Sequence, residues 1–370
     1  MRVAIVHDWI MLMRGGEKCL EVFCELFPDA TVFTLVRNKG IATPTIENMD
    51  IRTSFIQNLP KSMSWYRNYL PLFPKAITSF NLKGYDLILS SSHCVAKGVR
   101  VPEGARHICY CYTPMRYIWL FFDEYFGNEN IIKRKFILAV AKRLKKWDIE
   151  TNKDVDYFIA ISDNVRNRIK AIYSRNADVI YPPVDVGNFL ASDKDGGYYL
   201  IVSALVPYKR IDLAIEAFNK IGKKLVIIGT GNAEQQLRKK AKPNIEFAGF
   251  INPDRLKEFY YNCSAVIFPG EEDFGIVPVE AQACGKPVIA YGRGGALETV
   301  VPLQSTVHSR GSTGVFFYEQ TAGALIEAIE VFEKNKDKFI PEKIRQNALR
   351  FSRDIFKQKI RQYIEDKIKQ

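Results

Sequence analysis

Short apolar runs that favour buried strands alternate with amphipathic helical patterns along the whole chain. The segment "EKCLEVFCELF" (17–27), for example, places Leu20, Phe23 and Cys24 on one face of a helix. Five runs in the first half predict strands: "RVAIVHDW", "ATVFTLV", "YDLILSSS", "RHICYCYT" and "DYFIAIS". Alternation of this kind predicts a parallel β-sheet covered by helices.

The pattern restarts after a stretch rich in proline, glycine and charge. "VIYPPVD" (179–185), followed by "ASDKDGG", is typical of a linker. Beyond it, strands are predicted for "YYLIVSAL", "KLVIIGTG", "NIEFAGF", "SAVIFPG" and "PVIAYG". A chain of 370 residues is also longer than a single core comfortably needs. We therefore predict an α/β protein with two Rossmann-like domains facing across a cleft.

The predicted domain boundaries follow from this linker. The first Rossmann-like domain covers residues 1–188 and the second covers residues 196–345. A polar C-terminal helix is predicted for 346–370, and it can either pack back on the first domain or belong to the second.

Composition indicates a globular protein outside the membrane. The chain is 47% hydrophobic and 25% charged, and no apolar run approaches the roughly 18–20 residues of a spanning helix. Met1 and Arg2 lead directly into a strand-like run, which disfavours a signal peptide. The seven cysteines lack C-x-x-C spacing and the four histidines are scattered, so we expect reduced thiols and no zinc site. These features predict a soluble or peripheral protein of the cytoplasm.

The formal net charge of +12 indicates an anionic partner, which is a nucleic acid, a membrane surface or a phosphorylated substrate. The segment "IIKRKFILAVAKRLKKWD" (131–148) concentrates seven basic residues against one acidic residue. Its apolar positions suit a helix lying on an anionic bilayer, and they suit an ordinary solvated surface helix equally well. A nucleic-acid partner is disfavoured, because beyond this helix the basic residues form no stripe with interleaved aromatic residues.

The stretch "EEDFGIVPVEAQACGKPVIA" (271–290) carries two glutamates, Glu272 and Glu280, around a Phe-Gly pair. Pro278 is typical of a first helical turn and Gly285 of a helix end. We therefore place Glu280 in the first turn of a short helix, and Glu272 in the loop between that helix and the preceding strand. Ligands of open α/β sheets bind beyond the carboxyl ends of strands, and a helix N-terminus there favours phosphate.

The spacing of these glutamates suits a long ligand held at two places better than it suits the carboxylate pair of a glycosidase. Taken alone, the stretch favours two solvated glutamates without a function. Other turns at predicted strand ends change that balance. Lys209 and Arg210 lie between a strand and a helix, and glycine turns occur at 15–16, 229–232 and 292–295. There is no Walker A pattern and no G-x-G-x-x-G after the first strand, which argues against a P-loop NTPase and a standard dinucleotide enzyme.

Together these segments resemble the retaining glycosyltransferases of family 4, which have the GT-B fold. "EDFGIVPVE" resembles the family's Glu-x7-Glu signature, and "VPYKRIDLAIEAF" resembles its segment with the phosphate-binding lysine. "GTGNAEQQLRKKAKPNIEFAGFI" is similar to the stretch around the nucleotide base. "YCYTPMRYIW" and "HDWI…GGEKCLEVF" are most similar to bacterial mannosyltransferases that build O-antigen and other surface polysaccharides. The resemblance covers nearly the whole chain.

The resemblance implies a role for each matching residue. Glu272 and Lys209 would be catalytic, with Glu272 on hydroxyls of the donor sugar and Lys209 neutralising the departing diphosphate. Tyr112 and Arg116 would contact the acceptor. Donor binding would extend over Gly15, Gly16, Lys209, Arg210, Gly231, Phe274, Gly275, Ile276, Val277 and Glu280, the last of these at the ribose. The family generally needs no metal, and we expect no metal and no cofactor.

Three positions depart from the family pattern. Ala204 stands where relatives usually carry an arginine, Tyr112 where they carry a histidine, and Leu120 where they carry an aspartate. A tyrosine can keep a hydrogen bond at its position but cannot replace a base. Arg210 is a candidate to replace the missing arginine.

The resemblance implies transfer of mannose from GDP-mannose, with retention, to a glycan carried on a polyprenyl diphosphate. The enzyme would be peripheral at the cytoplasmic face of an anionic membrane and would bind no nucleic acid. Two alternatives stay open at this point: the same fold using a UDP-sugar, and a sugar-nucleotide-binding or scaffold protein with little turnover.

Overall fold

The structure is a computed structural model that describes residues 1–127, 130–303 and 311–369. It separates into two compact units: unit 1 comprises residues 1–183 and 354–370, and unit 2 comprises residues 184–353. Each unit contains one all-parallel β-sheet with connecting helices. The predicted α/β class with two Rossmann-like sheets is confirmed.

Unit 1 is built on a seven-stranded sheet whose order is β3-β2-β1-β4-β5-β6-β7. Its strands are β1 Val3–His7, β2 Thr31–Thr34, β3 Asp50–Thr53, β4 Leu87–Ser92, β5 Arg106–Cys111, β6 Tyr157–Ala160 and β7 Ala177–Val179. Every residue of β1 and of β4 is buried, as expected for central strands that are covered on both faces. The sequence signal was a continuous apolar run in β1, but only in the first half of β4, whose last three residues are buried serines.

Among the described residues of unit 1, eight α-helices connect these strands, and the amphipathic α1 places Leu20, Phe23 and Cys24 in the core as predicted. Their bounds are α1 Gly15–Leu26, α2 Pro44–Glu47, α3 Ser62–Trp65, α4 Phe73–Thr78, α5 Arg116–Trp119, α6 Phe122–Phe126, α7 Ile131–Glu150 and α8 Asp163–Tyr173. The basic segment singled out from the sequence is helix α7.

Unit 2 is built on a six-stranded sheet with the order β10-β9-β8-β11-β12-β13. Its strands are β8 Tyr198–Val202, β9 Lys224–Ile228, β10 Ile245–Gly249, β11 Ala265–Phe268, β12 Val288–Tyr291 and β13 Gly314–Phe317. Its helices are α9 Ile211–Ile221, α10 Glu234–Lys240, α11 Pro253–Asn262, α12 Ile276–Ala283, α13 Ala296–Thr299, α14 Ala322–Glu333 and α15 Pro341–Leu349. Strands β8 and β11 lie side by side at the centre, so the loops that follow them leave from the same edge.

The polar C-terminal segment forms two helices, because the backbone between them makes a hydrogen bond to a residue outside the segment. Helix α15 belongs to unit 2, whereas α16 (Arg353–Ile368) packs on unit 1. The amide of Val184 donates to the carbonyl of Phe351 over 2.9 Å, which draws this connection out of helical geometry. In α16, the ring of Phe356 lies 5.8 Å from that of Phe23 and 5.5 Å from that of Tyr110.

A fully buried carboxylate anchors the end of β1. Asp8 accepts four backbone hydrogen bonds of 2.7 to 2.9 Å from the consecutive amides of residues 93–96. Burial opposes ionisation, but the charge and hydrogen bonds of His93 leave the pKa of Asp8 below its usual value. Asp8 therefore has a structural role, since it ties β1 to the loop that follows β4.

The seven cysteines are all buried free thiols. Burial raises the pKa of Cys19, Cys24 and Cys263 to about 12. In the described part of the chain, every helix is too short or too polar to span a bilayer.

A buried ion pair attaches helix α7 to the rest of unit 1. The ammonium of Lys97 lies 2.9 Å from the carboxylate of Asp148, and both side chains are almost fully excluded from solvent. The other oxygen of Asp148 accepts hydrogen bonds from Trp119 Nε1 at 2.7 Å and from the Tyr173 hydroxyl at 2.9 Å. The Lys97 ammonium also donates to the Thr151 hydroxyl over 3.0 Å. These contacts compensate both charges inside the protein.

We predict that Lys97→Met lowers the free energy of unfolding by about 3–5 kcal/mol, because it leaves the Asp148 carboxylate buried without its counterion. Urea unfolding monitored by circular dichroism measures the change. Lys146→Met is the matched control, since Lys146 pairs with Glu150 on the exposed face of the same helix and such pairs contribute less than about 1 kcal/mol. Equal stability of the two variants would contradict the assignment.

Candidate functional site

The carboxyl ends of β8 and β11 bring Lys209 and Glu272 together. The two strands are neighbours in the sheet of unit 2, and each is followed by a loop that carries one of the two side chains. Lys209 ends a single 3-10 turn that begins at Pro207. Its ammonium forms an ion pair with the Glu272 carboxylate, and both side chains remain partly accessible to solvent.

This ion pair makes the site responsive to ligands. A phosphate group can compete with Glu272 for the Lys209 ammonium, since both are oxyanions. Glu272, once released, is an acceptor for sugar hydroxyls. The pair therefore offers the charges that a diphosphate and a sugar need, at the edge of the sheet where α/β proteins bind ligands.

A glycine turn seats the loop that carries Glu272. The amide of Gly295 donates to the carbonyl of Glu272 over 2.8 Å. A Cβ at Gly294 would lie 2.4 Å from that carbonyl oxygen, and a Cβ at Gly295 would lie 2.3 Å from the backbone of Phe274. The 292–295 turn is thus required to be glycine-rich by close backbone packing.

The loop that carries Lys209 is also packed closely against glycine residues. A Cβ at Gly270 would lie 3.0 Å from the Cα of Lys209, and one at Gly231 would lie 2.2 Å from the carbonyl oxygen of Leu205. Gly231, which the resemblance places at the donor, therefore has a clear packing role. Phe274 is 3% exposed, and its ring packs edge-on against Phe351 at 5.4 Å. The side chain of Phe274 therefore packs in the interior and is not available to a ligand.

Helix α12 begins two residues before the predicted proline signal, at Ile276, so Glu280 lies in its second turn and not in its first. The reason is Gly275, whose φ of 95° reverses the chain in a conformation that favours glycine. The first residues of the helix, Ile276 and Val277, thus present their amides at the helix N-terminus.

A buried tyrosine orients Glu280. The hydroxyl of Tyr260 donates to the Glu280 carboxylate over 3.1 Å, and burial raises the pKa of Tyr260 well above its ordinary value. Because the phenol stays protonated, it remains a hydrogen-bond donor. The sequence analysis did not identify Tyr260, whose position within α11 carries no motif.

Arg210 is held by residues of its own unit. Its backbone has a φ of 53°, in the left-handed region, just before α9. Its guanidinium donates to Gln320 over 3.2 Å, and Gln320 in turn donates to the carbonyl of Pro269 over 3.0 Å. Gln320 was also missed, although its place after β13, at the same edge of the sheet, was a usable signal.

In unit 1, predicted donor and acceptor residues contact each other. Gly15 and Gly16 are the first residues of α1, and Tyr112 directly follows β5. The Tyr112 hydroxyl donates to the carbonyl of Gly16 over 3.0 Å. Arg116 begins α5, and its guanidinium lies 5.7 Å from the ring centre of Phe121.

Among residues 1–127, 130–303 and 311–369, no group of three or more histidine, cysteine, aspartate or glutamate side chains is arranged to hold a metal ion. The polar side chains of unit 2 described above are Lys209, Arg210, Tyr260, Glu272, Glu280 and Gln320.

Comparison with protein families identifies residues 188–351, most of unit 2, by the model described as "Glycosyl transferases group 1". An uncharacterized glycosyltransferase of Methanocaldococcus jannaschii is 32% identical over 47% of this chain and 48% of its own length. Alpha-1,3/1,6-mannosyltransferase ALG2 of Candida glabrata is 30% identical over 45% and 48%. The chain thus spans about half the length of these relatives. O-antigen chain mannosyltransferase RfbU of Salmonella typhimurium is 26% identical over 68% of this chain and 67% of RfbU.

Solved structures match over nearly the full length. HepE of Anabaena, in complex with UDP, superposes with a TM-score of 0.71 at 18% identity, covering 99% of this chain and 100% of HepE. Sucrose-phosphate synthase of Thermosynechococcus elongatus gives a TM-score of 0.72 at 16% identity, with coverage of 100% and 99%. At these identities the superpositions establish the fold, which is the GT-B fold. The chain has this fold, residues 188–351 match the group 1 glycosyltransferases, and mannosyltransferases are among the relatives that match part of the chain. The resemblance drawn from the sequence is confirmed at this level.

We predict that Gly295→Ala destabilises unit 2 by about 1–3 kcal/mol, because the new Cβ collides with the Phe274 backbone. The φ of Gly295 is −65°, so the cost arises from the contact and not from backbone strain. Urea unfolding measures it. Gly323→Ala is the control, since its Cβ would meet only the Thr321 hydroxyl, at 4.0 Å. In a helix this change is expected to be neutral or stabilising by up to about 1 kcal/mol. If both variants unfold alike, the 292–295 turn does not seat the Glu272 loop.

Proposed function

We propose that the protein is a retaining glycosyltransferase that transfers mannose from GDP-mannose to a lipid-linked glycan during surface polysaccharide synthesis. The observation that carries the proposal is the ion pair of Lys209 and Glu272 at the carboxyl edge of the unit 2 sheet. The match of residues 188–351 to the group 1 glycosyltransferases supports the reaction class, and the mannosyltransferase names of several relatives support mannose.

In this proposal each polar group binds one part of the donor. Lys209 moves from Glu272 to the diphosphate, and Glu272 accepts hydrogen bonds from hydroxyls of the sugar. The amides of Gly275, Ile276 and Val277 bind the distal phosphate at the start of α12, where the helix dipole favours negative charge. Glu280, oriented by Tyr260, binds the ribose hydroxyls.

Catalysis follows from where charge develops. As the bond from the anomeric carbon to the phosphate breaks, negative charge grows on the phosphate and positive charge on the sugar. The ammonium of Lys209 stabilises the negative charge on the phosphate. The acceptor oxygen bonds to the anomeric carbon on the face that the phosphate leaves, and the leaving phosphate accepts the proton of this hydroxyl. Attack on the same face retains the configuration of the sugar. Preorganised charge of this kind is often the largest contribution to catalysis.

Two other assignments use the same geometry. A UDP-sugar differs from GDP-mannose only in the base and in sugar hydroxyls, and the solved HepE complex contains UDP. A sugar-nucleotide-binding scaffold would keep donor binding without turnover, and Ala204 and Tyr112 are the departures that favour it. The next experiment separates all three.

Titration calorimetry with GDP and UDP, combined with mannose transfer from GDP-mannose, tests the proposal. We expect GDP to bind more tightly than UDP. Lys209→Met should weaken GDP binding roughly 10- to 100-fold, because it removes a charge-assisted contact to phosphate. Glu272→Gln should bind GDP at least as tightly as the wild type while losing transfer, since the competing carboxylate is gone. Lys220→Met, which changes an exposed pair with Glu216, is the control and should leave both properties unchanged.

Each alternative outcome has one meaning. Tighter binding of UDP than of GDP would change the assigned donor to a UDP-sugar. Tight GDP binding without transfer or donor hydrolysis would favour a sugar-nucleotide-binding scaffold protein. If neither nucleotide binds, or if Lys209→Met binds GDP like the control, the proposed donor site is wrong.

Helix α7 supports membrane association, which a lipid-linked acceptor requires. At its N-terminal end Ile131, Ile132 and Phe136 are 75%, 83% and 64% exposed. Exposed basic residues lie among and beyond them, at Lys133, Lys135, Lys142 and Arg143. Large exposed apolar side chains combined with lysines suit the interface of an anionic bilayer. Arg116, which begins α5, is the candidate partner of the acceptor diphosphate.

We predict that the protein co-sediments with vesicles containing phosphatidylglycerol, and less with vesicles of phosphatidylcholine alone. The double variant Ile132→Ser/Phe136→Ser should reduce binding roughly ten-fold or more, because two large side chains no longer leave water. Leu190→Ser, which changes an exposed leucine outside α7, is the control. Unchanged binding of the double variant would exclude α7 as the docking surface.

A further inference from the structure

The Tyr112 hydroxyl belongs to a chain of hydrogen bonds that begins inside the sheet of unit 1. The Ser91 hydroxyl lies 2.7 Å from the Tyr112 hydroxyl. On its other side it lies 2.9 Å from Nδ1 of His7. His7 ends β1 and Ser91 lies in β4, and both are buried. The chain therefore crosses the carboxyl ends of three adjacent strands and ends at the Gly16 carbonyl.

The direction of every hydrogen bond in this chain follows from its last acceptor. A carbonyl oxygen can only accept, so Tyr112 donates its proton to Gly16. The Tyr112 oxygen then accepts from Ser91, and Ser91 accepts from His7. A neutral His7 must therefore carry its proton on Nδ1, which leaves Nε2 without one.

Two observations agree with this arrangement. Burial is the main reason that the pKa of His7 is lowered to about 4, so its ring is neutral near pH 7. Nε2 has no hydrogen-bond partner among the residues that the structure describes. An unpaired buried acceptor is tolerated more readily than an unpaired N–H. The tautomer with the proton on Nδ1 is thus the less costly one.

The position of the chain indicates its role. It holds the carbonyl of Gly16 at the first turn of α1, a helix end whose dipole favours an anion. The Glu17 carboxylate in the same turn accepts from the Arg14 amide over 3.0 Å, and burial raises the pKa of Glu17. The ring of Tyr112 and that of His7 also lie against Gly16, since a Cβ there would be 3.7 Å from Tyr112 and 3.6 Å from His7. Tyr112 cannot serve as a base, because burial raises its pKa well above the usual value.

We propose that His7 and Ser91 are positioning residues that act through the Tyr112 hydroxyl to hold the first turn of α1 in the geometry that receives a phosphate of the substrate. This inference rests on the proposed glycosyl transfer. It assigns Tyr112 a function that a histidine at this position would perform differently: it is a fixed donor to the protein's own backbone.

Tyr112→Phe tests the chain by removing one oxygen atom. If the donor phosphate is the ligand, we expect the KM for the donor and the Kd for GDP to rise roughly 3- to 10-fold, as for the loss of one hydrogen bond. If the acceptor diphosphate is the ligand, the KM for the acceptor should rise by the same factor. Ser91→Ala should have a similar effect, and Ser91→Thr, which keeps the hydroxyl, should restore most of the affinity.

Tyr110→Phe is the matched control. Tyr110 lies two residues earlier, in β5, and its hydroxyl donates to the carbonyl of Ile180 over 2.9 Å, away from this chain. Loss of the Tyr110 hydroxyl should lower the stability of the protein without changing the KM for the donor or the KM for the acceptor. If Tyr112→Phe and Tyr110→Phe give the same kinetic constants, the positioning role is wrong.

The tautomer of His7 provides a readout that is independent of activity. In nitrogen-15 NMR spectra at neutral pH, we expect Nδ1 of His7 to be protonated and Nε2 to be unprotonated. Tyr112→Phe should weaken this preference. A wild-type His7 with its proton on Nε2 would overturn the proposal. If the wild type binds no nucleotide at all, the proposed function fails, and the NMR result still decides whether the chain is directed as described.

Discussion

The candidate site in unit 2 depends on backbone segments that approach one another too closely for any side chain. The loop with Glu272 lies against the 292–295 turn, and the segment that leads to Lys209 lies against Gly231, at the carbonyl of Leu205. Only because these contacts are made by glycine can a lysine from one strand end meet a carboxylate from the next. The charged side chains are partly exposed, whereas the backbone that carries them is tightly packed.

Unit 1 reaches a comparable rigidity by a different route. Its strand ends are joined by polar side chains: Asp8 accepts four amides of the 93–96 segment, and the His7, Ser91 and Tyr112 chain reaches the first turn of α1. Buried polar groups of this kind impose specific geometry, because each partner that is lost leaves another without compensation. The two units thus share a fold but stabilise their functional edges with different chemistry.

Much of this architecture could be predicted from the sequence. Buried parallel strands leave continuous apolar runs, and the positions of Lys209, Glu272 and Gly275 at strand ends followed from the alternation of strands and helices. The ion pair itself could not be predicted, because it depends on side chains 63 positions apart in sequence that only the order of β8 and β11 brings together. The sequence did not predict the contacts of Tyr260, Gln320 and His7 for the same reason. Their partners lie on other elements, and no local pattern marks them. The start of α12 was misplaced because proline is permitted at several positions of a first turn, whereas Gly275 sets the actual start.

The burial of all seven cysteines has a practical consequence for spectroscopy on this protein. Thiol reagents act on accessible thiolates, and the native thiols offer neither access nor, where burial raises their pKa, the ionised form. A single cysteine introduced at an exposed position would therefore react selectively in the wild-type background. Fluorophores or spin labels could be attached to each unit in turn, so that the response of that unit to an added nucleotide becomes directly measurable.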